Sequence, residues 1–186
     1  YYAQTYGGGN VTMTPANTIG CPTDGDGNSD HPIAMGPVQP GQISANLQAM
    51  NQSYLAWIGD RGVDPGNWFV RECVSWAGYF VRSQYPAKYG NFNNNFRGAE
   101  FGNAKTWASG ARDAGLPIDS TPAVGSIGVR TSGRAGHVAA VIGVNPDGTF
   151  TIAEYNHVSH HGFSVRTNVR VGNDSDDFLY FIHFER

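Results

Sequence analysis

Cys73, His137, Glu154 and Asn156 supply a thiol, an imidazole, a carboxylate and an amide. Held together, these residue types can open an amide bond through a covalent intermediate. The Cys73 thiolate would attack a carbonyl, and His137 would take the thiol proton and later return it to the leaving amine. Glu154 or Asn156 would orient the second ring nitrogen and so fix the tautomer. The N–H of Cys73, near a helix start, is a natural donor to the developing oxyanion. The unpaired N–H groups and the positive dipole end there also favour the ionised thiol. Taken alone, each residue has a plainer reading: Cys73 as a small buried hydrophobe, and the other three as a satisfied structural cluster. The case for a site is the convergence of three such groups at the mouth of one hairpin.

The stretch 67–82 must position the thiol. Cys73, Trp76, Ala77, Phe80 and Val81 fall at i, i+3, i+4, i+7 and i+8, an apolar stripe of helical period. Asp64-Pro65-Gly66-Asn67 is turn chemistry, with Asn67 the expected cap, and the helix should stop near Gln84, ahead of Pro86. A helix over 43–58 precedes it, closed by Gly59, and 87–102 reads as a Gly/Asn/Phe loop. Asn103 is expected to cap a third helix through Trp107, Ala108, Ala111 and Ala114, ended by Gly115 and Pro117. After Pro122 the segments 124–130, 136–144, 149–156, 162–169 and 178–184 read as strands. Helices followed by an antiparallel sheet make the fold class α+β.

Asn145-Pro146-Asp147-Gly148 is the turn of the hairpin that carries the imidazole and the carboxylate. An even loop centred on Pro146-Asp147 pairs Val144 with Thr149, so paired numbers sum to 293, while centring on Asp147-Gly148 raises the sum by two and leaves the sides unchanged. In the first register Ala139 faces Glu154 and His137 faces Asn156, which places His137, Glu154 and Asn156 on one side of the hairpin with Val141, Phe150 and Ile152. An odd loop would scatter them.

The totals narrow the class of molecule. A chain of 186 residues with 40% hydrophobic content, 4 Trp, 9 Tyr and 10 Phe can build one well-filled domain. The charged share, 15%, is low for a globular protein, and 25 glycines with many amides suit a loop-rich protein that works outside the cell. Net charge is −3 with no basic run, which argues against a nucleic-acid partner. No apolar run approaches a membrane span. The first residue is Tyr1, so a missing leader says nothing against secretion.

Residues 1–42 differ from 43–186 and read as a Gly/Asn/Asp-rich arm. Within it Asp24, Asp26, Asn28 and Asp30 alternate with Gly and Ser, resembling the first half of a calcium loop. Ser29 and Met35 stand where such loops carry Gly and Glu, so the candidate calcium site needs a further acidic group. A calcium ion there would be structural, and the chemistry at Cys73 requires no cofactor. His157, His160 and His161 lack metal-ligand spacing on one defined element, which argues against zinc. Cys21 is the remaining thiol, and a bridge to Cys73 would remove the nucleophile.

From about Asp60 onward the chain resembles the CHAP family, the cysteine- and histidine-dependent amidohydrolases/peptidases of bacterial cell walls. The resemblance rests on the aromatic-rich segment around Cys73, Asn103-Ala104-Lys105-Thr106-Trp107-Ala108, Thr121-Pro122-Ala123-Val124-Gly125-Ser126-Ile127, Gly136-His137-Val138-Ala139, Glu154-Tyr155-Asn156 and Phe181-Ile182-His183, in that order. It implies a papain-like α+β fold and cleavage of peptidoglycan amide bonds in the peptide stem, the crossbridge or the sugar–peptide link. It places the nucleophile at Cys73, the base at His137, and the third and fourth members at Glu154 and Asn156. The alternative within the same fold is a non-catalytic wall-binding module. The family commonly has Gly-Gln before its cysteine, where this chain has Arg71-Glu72. An acid beside a developing oxyanion would repel it, so Glu72 either turns away, slows the enzyme or selects a cationic substrate group.

Overall fold

The computed structural model describes residues 45–172 and 177–186. The arm, its candidate calcium residues Asp24, Asp26, Asn28 and Asp30, and Cys21 lie outside the described residues.

Helix α1 (Ala45–Ile58) buries Leu47, Met50, Tyr54 and Ile58, a single stripe, and ends at Gly59 with φ +53°. That left-handed value suits glycine, which has no Cβ to clash. The next helix, α2 (Cys73–Gln84), begins six residues later than Asn67, the cap expected from the sequence. Asn67 has φ +69°, outside the extended range of a cap, and residues 63–69 form a small hairpin with Val63 bridged to Phe69. Two contacts hold that hairpin against helix propensity. Buried Asp64 accepts from the N–H groups of Gly66 (2.7 Å) and Trp68 (3.1 Å), and the Trp68 ring sits in the core against Phe92 and Trp107. Cys73 is therefore the first helical residue, with Glu72 as the cap.

A short helix α3 (Pro86–Tyr89) and a 3₁₀ turn at Phe96–Gly98 lie within the segment read as loop. Asn103 caps a 3₁₀ turn, Ala104–Thr106, which runs into α4 (Trp107–Asp113), and Gly115 follows with φ +68°.

Strands β1 (Ile118–Asp119), β2 (Ile127–Arg130), β3 (His137–Val144), β4 (Phe150–Tyr155), β5 (Phe163–Val169) and β6 (Tyr180–Ile182) form one antiparallel sheet, in the order β1-β6-β2-β3-β4-β5. One side of it, with Val129, Val138, Ala140, Ala153 and Tyr155, joins the helices in the main core. Trp76 of α2 locks that contact by donating its indole N–H to the Ala153 carbonyl at 3.1 Å. The other side carries a smaller apolar cluster of Ala139, Val141, Phe150, Ile152, Val169, Phe178 and Phe181. This is the papain-like α+β arrangement expected from the sequence.

The β3–β4 hairpin departs from the expected register in an instructive way. Near the turn Val144 pairs with Phe150 and Gly143 with Thr151, an odd loop that by itself would put His137 and Glu154 on opposite sides. A bulge between Val141 and Gly143 restores the count, so that Val141 pairs with Ile152 and Ala140 with Ala153. Beyond the bulge the register is the expected one, and His137 and Glu154 share a side.

Candidate active site

Cys73 sits at the first turn of α2, half-buried, as a free thiol. Its N–H is among those that no helical carbonyl can reach. Two supports fix the backbone on either side of it. The Tyr54 hydroxyl of α1 accepts from the N–H of Arg71 at 2.8 Å and pairs with the Ser75 hydroxyl at 2.9 Å. Arg71 itself has φ +62°, an uncommon conformation for a side chain of that size, which the Tyr54 contact helps to hold. Burial, the main cause, pushes the Tyr54 hydroxyl up to about 12, so it remains a neutral hydrogen-bonding group.

His137 is the first residue of β3 and 3% exposed. It follows Gly136, whose φ of +73° and position against the backbone of Lys105 and Arg130 leave no room for a Cβ. The imidazole Nε2 pairs with Oε2 of Glu154 at 2.7 Å, and the ring also hydrogen-bonds the Cys73 side chain. With Nε2 occupied by the carboxylate, Nδ1 is the nitrogen left for the sulfur. The His157 ring lies 4.8 Å from the His137 ring, centroid to centroid, and Phe178 closes the edge at 6.2 Å.

Glu154 is fully buried. Besides His137 it takes both arms of one guanidinium: Arg166 Nε donates to Oε1 at 2.6 Å and an Arg166 Nη to Oε2 at 3.0 Å. Burial alone would raise the Glu154 carboxyl. The hydrogen bonds and charges of His137 and Arg166 outweigh it and hold the group down at about 2. Burial likewise pulls His137 down, yet the contacts with Cys73 and Glu154 win and its pKa is raised. Both shifts point the same way, toward an imidazolium beside a carboxylate.

Asn156 lies one residue past the end of β4, with φ +56°. Its Nδ2 donates to Oε2 of Glu72 at 2.7 Å, and its Oδ1 accepts from the His161 N–H at 2.8 Å. The other Glu72 oxygen meets the His161 ring at 3.2 Å. The fold thus gathers Cys73, His137 and Glu154 into one connected group, while the hydrogen bonds of Asn156 run to Glu72, the cap of α2, and to the His161 N–H. The rings of His160 and His161 stack at 3.8 Å, and no group of three metal-ligating side chains occurs among the described residues. Nothing in the local sequence pattern singles out Arg166. The signal available for it was strand parity: Arg166 pairs with Ile152 on the side that carries Glu154, and Ser164 pairs with Glu154 itself.

The profile of the CHAP domain matches residues 63–156, half of the chain, and spans Cys73, His137, Glu154 and Asn156. The chain belongs to the CHAP family. Within known proteins this CHAP chain is 38% identical over 86 residues to the staphylococcal secretory antigen SsaA of Staphylococcus aureus, covering 46% of this chain and 33% of that protein. It is 41% identical over 76 residues to the probable autolysin LDP of the same species, covering 41% of this chain and 26% of that one. The matched part therefore spans a third or less of the length of these curated relatives. Among solved structures it is similar to an N-acetylmuramoyl-L-alanine amidase from Staphylococcus aureus, with a TM-score of 0.46 and 23% identity over 60% of this chain and 29% of that one.

Proposed function

We propose that this CHAP chain is a cysteine hydrolase of peptidoglycan, acting outside the cell on an amide bond of the peptide stem, the crossbridge or the sugar–peptide link. The observation that carries the proposal is the contact of a free thiol at a helix N-terminus with a buried imidazole whose far nitrogen is held by a carboxylate. Cys73 gives its proton to His137 and attacks the carbonyl carbon. The oxyanion forms beside the Cys73 N–H. His137 then protonates the leaving amine, a thioester remains on Cys73, and water activated by the same imidazole releases the acid. Glu154 keeps the ring in place and stabilises its charged form. The similarity to a secretory antigen and a probable autolysin supports a wall substrate and an extracellular setting. Among the described residues no helix is long and apolar enough to cross a membrane.

The test is release of soluble fragments from purified cell walls by the intact protein and by Cys73→Ala. Hydrolysis by the former and loss of at least about 1,000-fold in the latter are expected, since removing the nucleophile leaves only binding and oxyanion stabilisation. Wall binding with no thiol-dependent hydrolysis in either protein would instead assign a non-catalytic binding module. Mass spectrometry of the fragments then separates amidase from endopeptidase: new amino termini on stem alanine mark the former, new crossbridge termini the latter.

A further inference from the structure

Glu154 presents a problem that the Cys73–His137 pair does not solve. It is a carboxylate with no exposed surface, and one imidazole cannot satisfy both of its oxygens. The second cation comes from β5. Arg166, 21% exposed at its side chain, reaches inward with a two-pronged contact of 2.6 and 3.0 Å, and the Ser164 hydroxyl adds a longer one at 3.4 Å. The fork is rigid and planar, so it fixes the plane of the carboxylate as well as its charge.

We propose that Arg166 is a positioning residue of this centre: by clamping Glu154 as an anion with Oε2 aimed at His137, it sets the protonation balance of the Cys73–His137 pair from a strand that carries none of the reacting atoms. The inference rests on the hydrolase reading for its consequence but not for its physics. Around Glu154 the titratable and charged groups are His137 on β3, Arg166 on β5, Cys73 on α2, the His157 ring tilted against that of His137, and Arg130, which pairs with His137 across β2 and β3. Removing one cation from this set makes each deprotonation in it less favourable. The thiolate of Cys73 should therefore require a higher pH. Should Glu154 itself take up a proton, His137 loses the partner of its charged form, and the shift has the same sign.

The experiment measures the rate of Cys73 alkylation by iodoacetamide against pH, in the intact protein and in Arg166→Gln and Arg166→Lys. Only the thiolate reacts, so the rising limb reports its formation without any need for substrate. In Arg166→Gln the limb is expected to move up by roughly 1 pH unit, with hydrolysis of wall at neutral pH falling about 10- to 100-fold. Arg166→Lys, which keeps the charge but not the fork, should return the limb toward that of the parent while recovering only part of the hydrolysis. A limb in the same place in all three proteins overturns the proposal, because loss of packing would lower amplitude or stability without moving a titration. If Arg166→Gln does not fold, Glu154→Gln is compared with the double variant Glu154→Gln/Arg166→Gln, where no anion is left unpaired. A shift between these two of less than half a unit supports action through Glu154, and a full shift in the absence of the carboxylate overturns it. Parent protein that alkylates as expected but hydrolyses no wall would defeat the hydrolase reading and leave the assignment of Arg166 standing.

Discussion

The His137–Glu154 contact at 2.7 Å couples two groups whose charged forms support each other. Glu154 contributes to the raised pKa of His137, alongside Cys73. Replacing the carboxylate by an amide of the same shape removes the charge and keeps a hydrogen-bond partner. In Glu154→Gln the imidazolium is less stabilised, so its proton should leave at lower pH. The alkaline limb of kcat/KM on wall fragments is therefore expected to move down by about 1 unit, with a fall of about 10- to 100-fold at the optimum. An unmoved limb would show that Glu154 does not act on the imidazole charge. Glu72, the acid directly before Cys73, is engaged by Asn156 and His161. That engagement answers part of the electrostatic objection to it, since both of its oxygens have donors other than the reacting group.

At the scale of elements, Cys73 is placed by α1 as much as by α2. Tyr54 packs edge-on against Trp76 and Tyr155, with ring centroids 5.4 and 5.0 Å apart, and its hydroxyl bridges Arg71 and Ser75 across Cys73. Tyr54→Phe keeps the ring and deletes the bridge, leaving the Arg71 N–H without that acceptor. Thermal and denaturant unfolding should show a loss of about 1–3 kcal/mol. Because the strained Arg71 then loses an anchor, wall hydrolysis is expected to fall more than stability alone explains. Full activity in folded Tyr54→Phe would mean that the Trp68 hairpin suffices to aim Cys73.

Over the whole molecule, the buried site ties stability to pH. The Glu154 carboxyl drops from 4.5 to about 2 on folding. A depressed acid contributes stability that is complete above its unfolded value and is lost as pH falls through the folded one. The window is therefore about pH 4.5 down to 2, and the contribution is on the order of 3 kcal/mol. His137 has the opposite sign: its raised pKa favours the fold below the ordinary histidine value, and that part is lost as pH rises through the folded value. The two describe one shared contact, so they are not summed. Denaturant unfolding at a series of pH values should show the intact protein losing stability steeply below pH 4.5. Glu154→Gln should be less stable at neutral pH and fall less steeply over the same range, where Asp119 and Asp147, also held below the usual carboxylate value, still contribute. Parallel curves for the two proteins would remove Glu154 as the source.

Residue types and short periodicities were enough to read the α+β class, the helix stripe behind Cys73 and the strands that carry His137 and Glu154, because side-chain alternation and the 3.6-residue period are local properties of the backbone. The start of α2 was not legible. It depends on Asp64 and Trp68 folding residues 63–69 into a hairpin, and Trp68 gains its burial only from Phe92 and Trp107, far along the chain. An even turn would put His137 and Glu154 on one side, whereas the actual turn is odd and a bulge at residue 142 repairs the count, an irregularity that hydrophobic patterning does not encode. Asn156 could be placed at the end of its strand, but its link to Glu72 follows from a positive φ that turns it toward another element. Arg166 lay furthest from view. A buried carboxylate announces a need for charge, and only the pairing of β4 with β5 decides which cation answers it.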